Sequence, residues 1–141
     1  MPIVSWSDHF KTGIDIIDAQ HKDLLDSLNE LSDAARESQS GRIWSEKLAS
    51  IALRSIKHFQ TEEILMKEIG YPTRCDHLNQ HCDLILQVRS IQYKQSKGQP
   101  LDADVAQFLV NWFEHHIVEA DMDYVEFMKG MKPKGETGLR I

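Results

Sequence analysis

Apolar residues recur along this chain with the period of an α-helix, in four stretches separated by polar or Gly/Pro breaks. In the first, His21, Leu24, Leu25, Leu28, Leu31 and Ala35 share a stripe, and the polar run Glu37-Ser-Gln-Ser-Gly41 ends it. A second helix begins near Ile43, with Trp44, Leu48, Ile51, Ser55, His58, Glu62, Leu65 and Ile69 on its inner face. Gly70 suits a helix C-cap, and Pro72 a stop just beyond it. The third begins near Thr73, aligns His77, His81, Leu84, Val88 and Ile91, and ends around Lys97-Gly-Gln-Pro100. The fourth runs from about Asp102 to Met131 with two adjacent stripes. One holds Val105, Leu109, Trp112 and His116; the other Phe113, Ile117, Asp121, Tyr124 and Met128.

Short connections force antiparallel neighbours, so this pattern predicts an all-α fold, an up-down-up-down antiparallel four-helix bundle. The start of the chain lacks the period. Residues 1–17 are aromatic and β-branched (Val4, Trp6, Phe10, Ile14, Ile16, Ile17) and are expected to form an extended N-terminal arm packed on another element. Asp18 is placed to cap the first helix. Residues 18–131 are then the bundle, 132–141 a polar tail, and 1–141 one domain.

Composition narrows the function classes. A net charge of −6 argues against nucleic acid, whose phosphates need clustered Lys and Arg. No apolar run is long enough to span a bilayer. The opening MPIVSWSDHFKTG lacks the basic start and apolar core of a signal peptide. Cys75 and Cys82 are seven residues apart, about 10 Å along one helix and too far to bridge. Free thiols without a leader give the expectation of a cytoplasmic protein. Both are read as structural thiols, since they lack ligand spacing.

The chemistry lies in polar residues that occupy apolar stripes. A lone inward histidine is usually a hydrogen-bonded core residue, and a lone inward glutamate a residue near the stripe's edge. Here His21, His58, His77, His81 and His116 all fall on inward stripes, with Glu62 and Asp121, and they span all four helices. Burying them without a shared partner would cost roughly 1–3 kcal/mol per unsatisfied group. A bound metal removes that cost. His58 and Glu62 are four apart and so neighbours on a helix surface, as are His77 and His81. His116 and Asp121 are five apart, which turns them about 140° from each other on a regular helix. His115 and Glu119 offer the four-residue spacing instead, but on a more polar stripe, which favours His116 and Asp121. Seven ligands are too many for one tetrahedral zinc. Two octahedral metals sharing both carboxylates and a bridging oxygen would leave one position open, which suits a small diatomic ligand.

These residues fall in motifs. Gly13-Ile-Asp15 leads to Asp18-x-Gln20-His21-Lys22, and His58-Phe-x-x-Glu62-Glu63 follows. Tyr71-Pro-x4-His77-x3-His81 and Trp112-x3-His116-Ile-x3-Asp121 complete the set. Together with the Trp6 arm they make the chain resemble the bacterial hemerythrins over most of its length, with no ligand position departing from the pattern. The resemblance settles the His115 question in favour of His116 and Asp121.

It implies a non-haem di-iron site, two Fe ions (Fe2+/Fe3+) with an oxo or hydroxo bridge, that binds dioxygen reversibly for storage, transport or delivery. By the resemblance His77, His81 and His116 hold the six-coordinate iron, His21 and His58 hold the iron with the open position, and Glu62 and Asp121 bridge. Leu24, Leu25, Phe59, Trp112, Phe113 and Ile117 are candidates for a dry shell, or equally for plain bundle core. The expected protein is a monomer that takes dioxygen and passes it to a partner protein. Two other classes stay open: a di-iron redox enzyme acting on peroxide or nitric oxide, and an oxygen or redox sensor working through a separate partner. The enzyme class loses ground because no glutamate has a histidine three residues on, the pairing that ferritin-like di-iron enzymes use.

Overall fold

The computed structural model describes residues 2–37, 41–100 and 102–131, and within them the four stripes become four antiparallel rods without strands. The predicted tail, 132–141, lies outside the described residues, as do residues 38–40 of the first connection. Helix α1 spans Asp15–Arg36, α2 Gly41–Glu68 and α3 Arg74–Ser96. The fourth rod has three parts: α4 over Ala103–His115, a π-helical turn over His116–Asp121, and α5 over Met122–Gly130. The sequence period predicts one continuous helix here, and the π turn is a departure from it.

Side-chain pairs fix the antiparallel register. Between α1 and α2, Gln20 meets Thr61 at 3.1 Å while Lys47 meets Glu30 at 2.8 Å. Between α2 and α3, His81 meets Glu63 at 2.9 Å while Gln95 meets Gly41 at 2.9 Å. The break between α2 and α3 is a Schellman cap. Gly70, at φ +67°, donates to Lys67, and Tyr71 donates to Met66, which satisfies two end carbonyls. Asp102 caps α4, its carboxylate accepting the Val105 N–H at 3.1 Å.

The arm departs from the expectation in two ways. A 3₁₀ turn over Asp8–Phe10 interrupts it, and α1 begins at Asp15, three residues before the expected cap. Asp18 therefore sits inside the first turn, with Ile14 at the N-cap position. Its carboxylate turns back on the incoming loop and accepts Thr12 N–H and Thr12 Oγ1 at 2.8 Å, and Gly13 N–H at 3.1 Å. Gly13 adopts φ +87°, a left-handed conformation that costs glycine little. The rest of the arm is held by Asn29, which accepts the N–H groups of Ile3 and Val4 and donates to the Val4 carbonyl.

The interior is divided. A large apolar core of Leu24, Leu25, Leu28, Leu31, Leu48, Ile51, Leu84, Val88, Leu109, Val110 and Phe113 fills one part of the bundle. A smaller one of Ile17, Leu65, Met66, Ile69, Tyr124 and Val125 fills another. In α1, His21 lies in sequence between Ile17 of the smaller core and Leu24 of the larger one.

Candidate metal centre

All five predicted histidines and both carboxylates are buried, and they come together in one interior layer. Period and packing explain the placement. The apolar stripe of each rod must face the interior to bury its leucines, and that carries the polar members inward with it. The fourth rod needs one more device. On a regular helix His116 and Asp121 would diverge, but the π turn's i→i+5 pattern brings residues five apart towards one side. Both are buried there. His115, the rival, is exposed and pairs with Glu119 at 3.1 Å on the surface.

The donors fall into two overlapping groups. Glu62, His77, His81, His116 and Asp121 form one, and His21, His58, Glu62 and Asp121 the other; within each, one atom per residue lies within 4.8 Å of all the rest. The two carboxylates belong to both. His77 Nε2 and His116 Nε2 lie 3.0 and 3.1 Å from Asp121 Oδ1. His81 Nε2 and His58 Nε2 lie 3.2 and 3.4 Å from Glu62 Oε1. Yet none of these atoms makes a hydrogen bond among the described residues. They approach one another without aiming at one another. Two donors at right angles on one ion at about 2.1 Å stand about 3.0 Å apart, which is the spacing seen.

That the atoms are orphaned matters energetically. Six of them, at roughly 1–3 kcal/mol each, would consume a stability that is itself only about 5–15 kcal/mol. A donor set of imidazoles and carboxylates fits a first-row transition metal, so the residues fit the group that would satisfy them.

Three of the five histidines have their outer ring nitrogens occupied. Gln20 meets His58 Nδ1 at 2.7 Å, Glu63 meets His81 Nδ1 at 2.9 Å, and Gln80 meets His116 Nδ1 at 3.0 Å. Such partners fix the ring and leave Nε2 facing the interior. Phe59 stacks on His81 at 3.8 Å and 7°, and Trp112 on His116 at 4.5 Å and 16°. The Tyr124 hydroxyl donates to Glu62 Oε2 at 2.7 Å.

Electrostatics follow from burial and crowding. Burial, assisted by the neighbouring His21 and His81, lowers the His58 pKa to about 4, so its imidazole is neutral and its lone pair free at ordinary pH. Burial also works against charge on Asp121, but the imidazoles of His116, His21 and His77 outweigh it and hold the carboxyl well below the usual range. His21 shows the same contest from the other side. Burial lowers its pKa, the Asp121 carboxylate 3.0 Å away raises it, and the net shift is upward. Burial, followed by the charges of Glu62 and Asp121, pushes the Tyr124 phenol well above its ordinary value, so it keeps its proton as a donor.

The sequence reading missed Gln80 and Tyr124. Gln80 lies on an exposed helix position where nothing marks it. Tyr124 could have been found, because a buried tyrosine hydroxyl needs a partner. Glu63, which follows Glu62 in the second motif, is half-buried and meets His81 Nδ1. Cys75 and Cys82, expected as structural thiols, are both exposed.

Comparison with known proteins finds relatives in sequence and in structure. The family model described as "Hemerythrin HHE cation binding domain" matches residues 12–128. A bacteriohemerythrin of Stenotrophomonas maltophilia is 30% identical over 129 residues, covering 92% of this chain and 84% of that one. A bacteriohemerythrin of Pseudomonas aeruginosa is 29% identical over 138 residues, covering 94% and 90%. A crystal structure of wild-type hemerythrin superposes with a TM-score of 0.83 at 26% identity, covering 88% of this chain and 96% of that one.

Proposed function

The chain belongs to the hemerythrin family, and we propose on that footing that it binds dioxygen reversibly at a non-haem di-iron centre, for storage, transport or delivery. One observation carries the reading. Two sets of buried donors share Glu62 and Asp121, and the Nε2 atoms of His58, His77, His81 and His116, with Glu62 Oε1 and Asp121 Oδ1, have no hydrogen-bond partner among the described residues. On this reading His77, His81 and His116 hold one iron, His21 and His58 the other, and the two carboxylates bridge. When bound, the irons supply the reversible one-electron changes that let dioxygen bind and leave.

The chain's own residues do the rest. Gln20, Glu63 and Gln80 hold imidazoles in the orientation that faces the metals. The low pKa of His58 keeps protons from competing for its lone pair. Tyr124 keeps its proton and engages Glu62 Oε2, while Oε1 stays unpaired. Asp121 stays ionised, as a bridge between two cations requires. Leu24, Leu25, Phe59, Phe113 and Ile117 are buried beside the centre and keep water from the bound ligand, which favours release over reaction. The smaller His21–His58 group, with fewer donors than the other, would be the side that takes dioxygen.

The test is a visible spectrum of the anaerobically reduced, iron-loaded protein, before and after oxygen and again after purging with inert gas. A band that appears with oxygen and disappears on purging is expected. Prompt, irreversible decay to an oxidised spectrum would assign the protein to redox catalysis or sensing instead. Iron bound without any oxygen-dependent band would remove His21 and His58 from their assigned role.

A further inference from the structure

Ser55 is fully buried on α2, three residues before His58, and its hydroxyl has no hydrogen-bond partner among the described residues. This is unusual for a serine in a helix. The common outlet is the carbonyl one turn back, and Ser27 in α1 takes it, donating to the Asp23 carbonyl at 3.0 Å. Ser55 does not.

The register between the rods places Ser55. In α1, Gln20 meets His58, and Asp23 pairs with Arg54. Ser55 is therefore level with the span from His21 to Leu24. His21 meets Asp121, which puts Ile117 about one turn along at the same level. His81 stacks on Phe59, which puts Leu84 there too. The layer next to the histidines, on the side of the large core, is thus built of Leu24, Leu84 and Ile117 with Ser55 as its polar member, all buried. A lone hydroxyl in such a wall costs roughly 1–3 kcal/mol while it stays unpaired.

We propose that the Ser55 hydroxyl donates a hydrogen bond to the far atom of a small ligand held at the open position beside His21 and His58. It thereby selects ligands of two or three atoms that end in an acceptor. The proposal rests on the di-iron reading above. Three residues of helix rise about 4.5 Å, whereas a ligand's first atom sits about 2 Å from its metal. A monatomic ligand stops short of the serine. A diatomic or triatomic one carries an acceptor towards it.

The experiment titrates the iron-loaded, oxidised protein with azide, an acceptor at its far end, and with fluoride, a single atom. Ser55→Ala should bind azide about tenfold more weakly, the loss of one buried hydrogen bond, and fluoride unchanged. Ser55→Thr, which keeps the hydroxyl, should retain azide affinity. A melting measurement gives a second readout. Without ligand, iron-loaded Ser55→Ala should melt no lower than the parent; saturating azide should raise its melting temperature by less than it raises the parent's. Equal azide affinity in parent and Ser55→Ala overturns the proposal and leaves the di-iron reading intact. If the parent binds neither iron nor azide, both fall together.

Discussion

The two halves of the centre are built to different standards. In the half of His77, His81 and His116, two imidazoles are locked twice. Glu63 and Gln80 hold the outer nitrogens, and Phe59 and Trp112 lie flat against the rings. In the half of His21 and His58, Gln20 alone holds an outer nitrogen, the His21 Nδ1 has no partner among the described residues, and the rings meet edge-on at 4.5 Å. The stacked half has two of its three imidazoles fixed both by stacking and by an outer hydrogen bond. The other half has two, and only His58 has its outer nitrogen held. On the proposed reading, rigidity belongs where a metal is kept, and fewer restraints where a ligand comes and goes.

The comparison can be broken by experiment. The largest effect is expected from Glu62→Ala, which removes a donor common to both groups and strands the Tyr124 hydroxyl. Iron per chain, by elemental analysis, should fall almost to zero; loss from one half only would mean that Glu62 does not bridge. Next come Glu63→Ala and Gln80→Ala, which free outer nitrogens in the stacked half. Changes of this kind cost about 10–100-fold in metal affinity. Competition with a chelator should give a smaller loss for either than for Gln20→Ala, because stacked rings still hold His81 and His116; the reverse order would overturn the contrast. Tyr124→Phe should be milder. It removes one hydrogen bond to a buried carboxylate, worth about 1–3 kcal/mol, and a melting curve should fall by a few degrees with iron content kept. Last, His115→Ala cuts a pair that is mostly exposed, worth about 0–1 kcal/mol, and neither melting temperature nor iron content should move.

The same contrast bears on what could be read from the residues alone. The rods were legible because leucine stripes have one helical solution, and the histidines because they broke those stripes at four-residue spacing. The His116–Asp121 pair was harder, since a π turn has no period of its own to announce it; the more polar stripe of His115 favoured it, and the motif resemblance settled the choice. Gln80 was illegible for the opposite reason: it sits at a surface position and matters through one hydrogen bond to a ligand's far side. The early start of α1 was hidden by Asp18, a good capping residue that instead caps the loop before it.

The π turn also makes length, not only composition, a heritable property of this site. An exposed loop absorbs an inserted or deleted residue; a helix with a π turn stores one. Deleting a single residue among 117–120 would return the rod to a regular helix and rotate everything after it by about 100°. Asp121 would leave the cluster, and Tyr124 and Val125 would leave the smaller core. A one-codon deletion at Glu119, exposed and harmless to substitute, should therefore abolish iron binding where Glu119→Ala does not. Iron analysis of the two variants distinguishes them, and equal iron content would mean that the frame of this rod is not fixed by the turn.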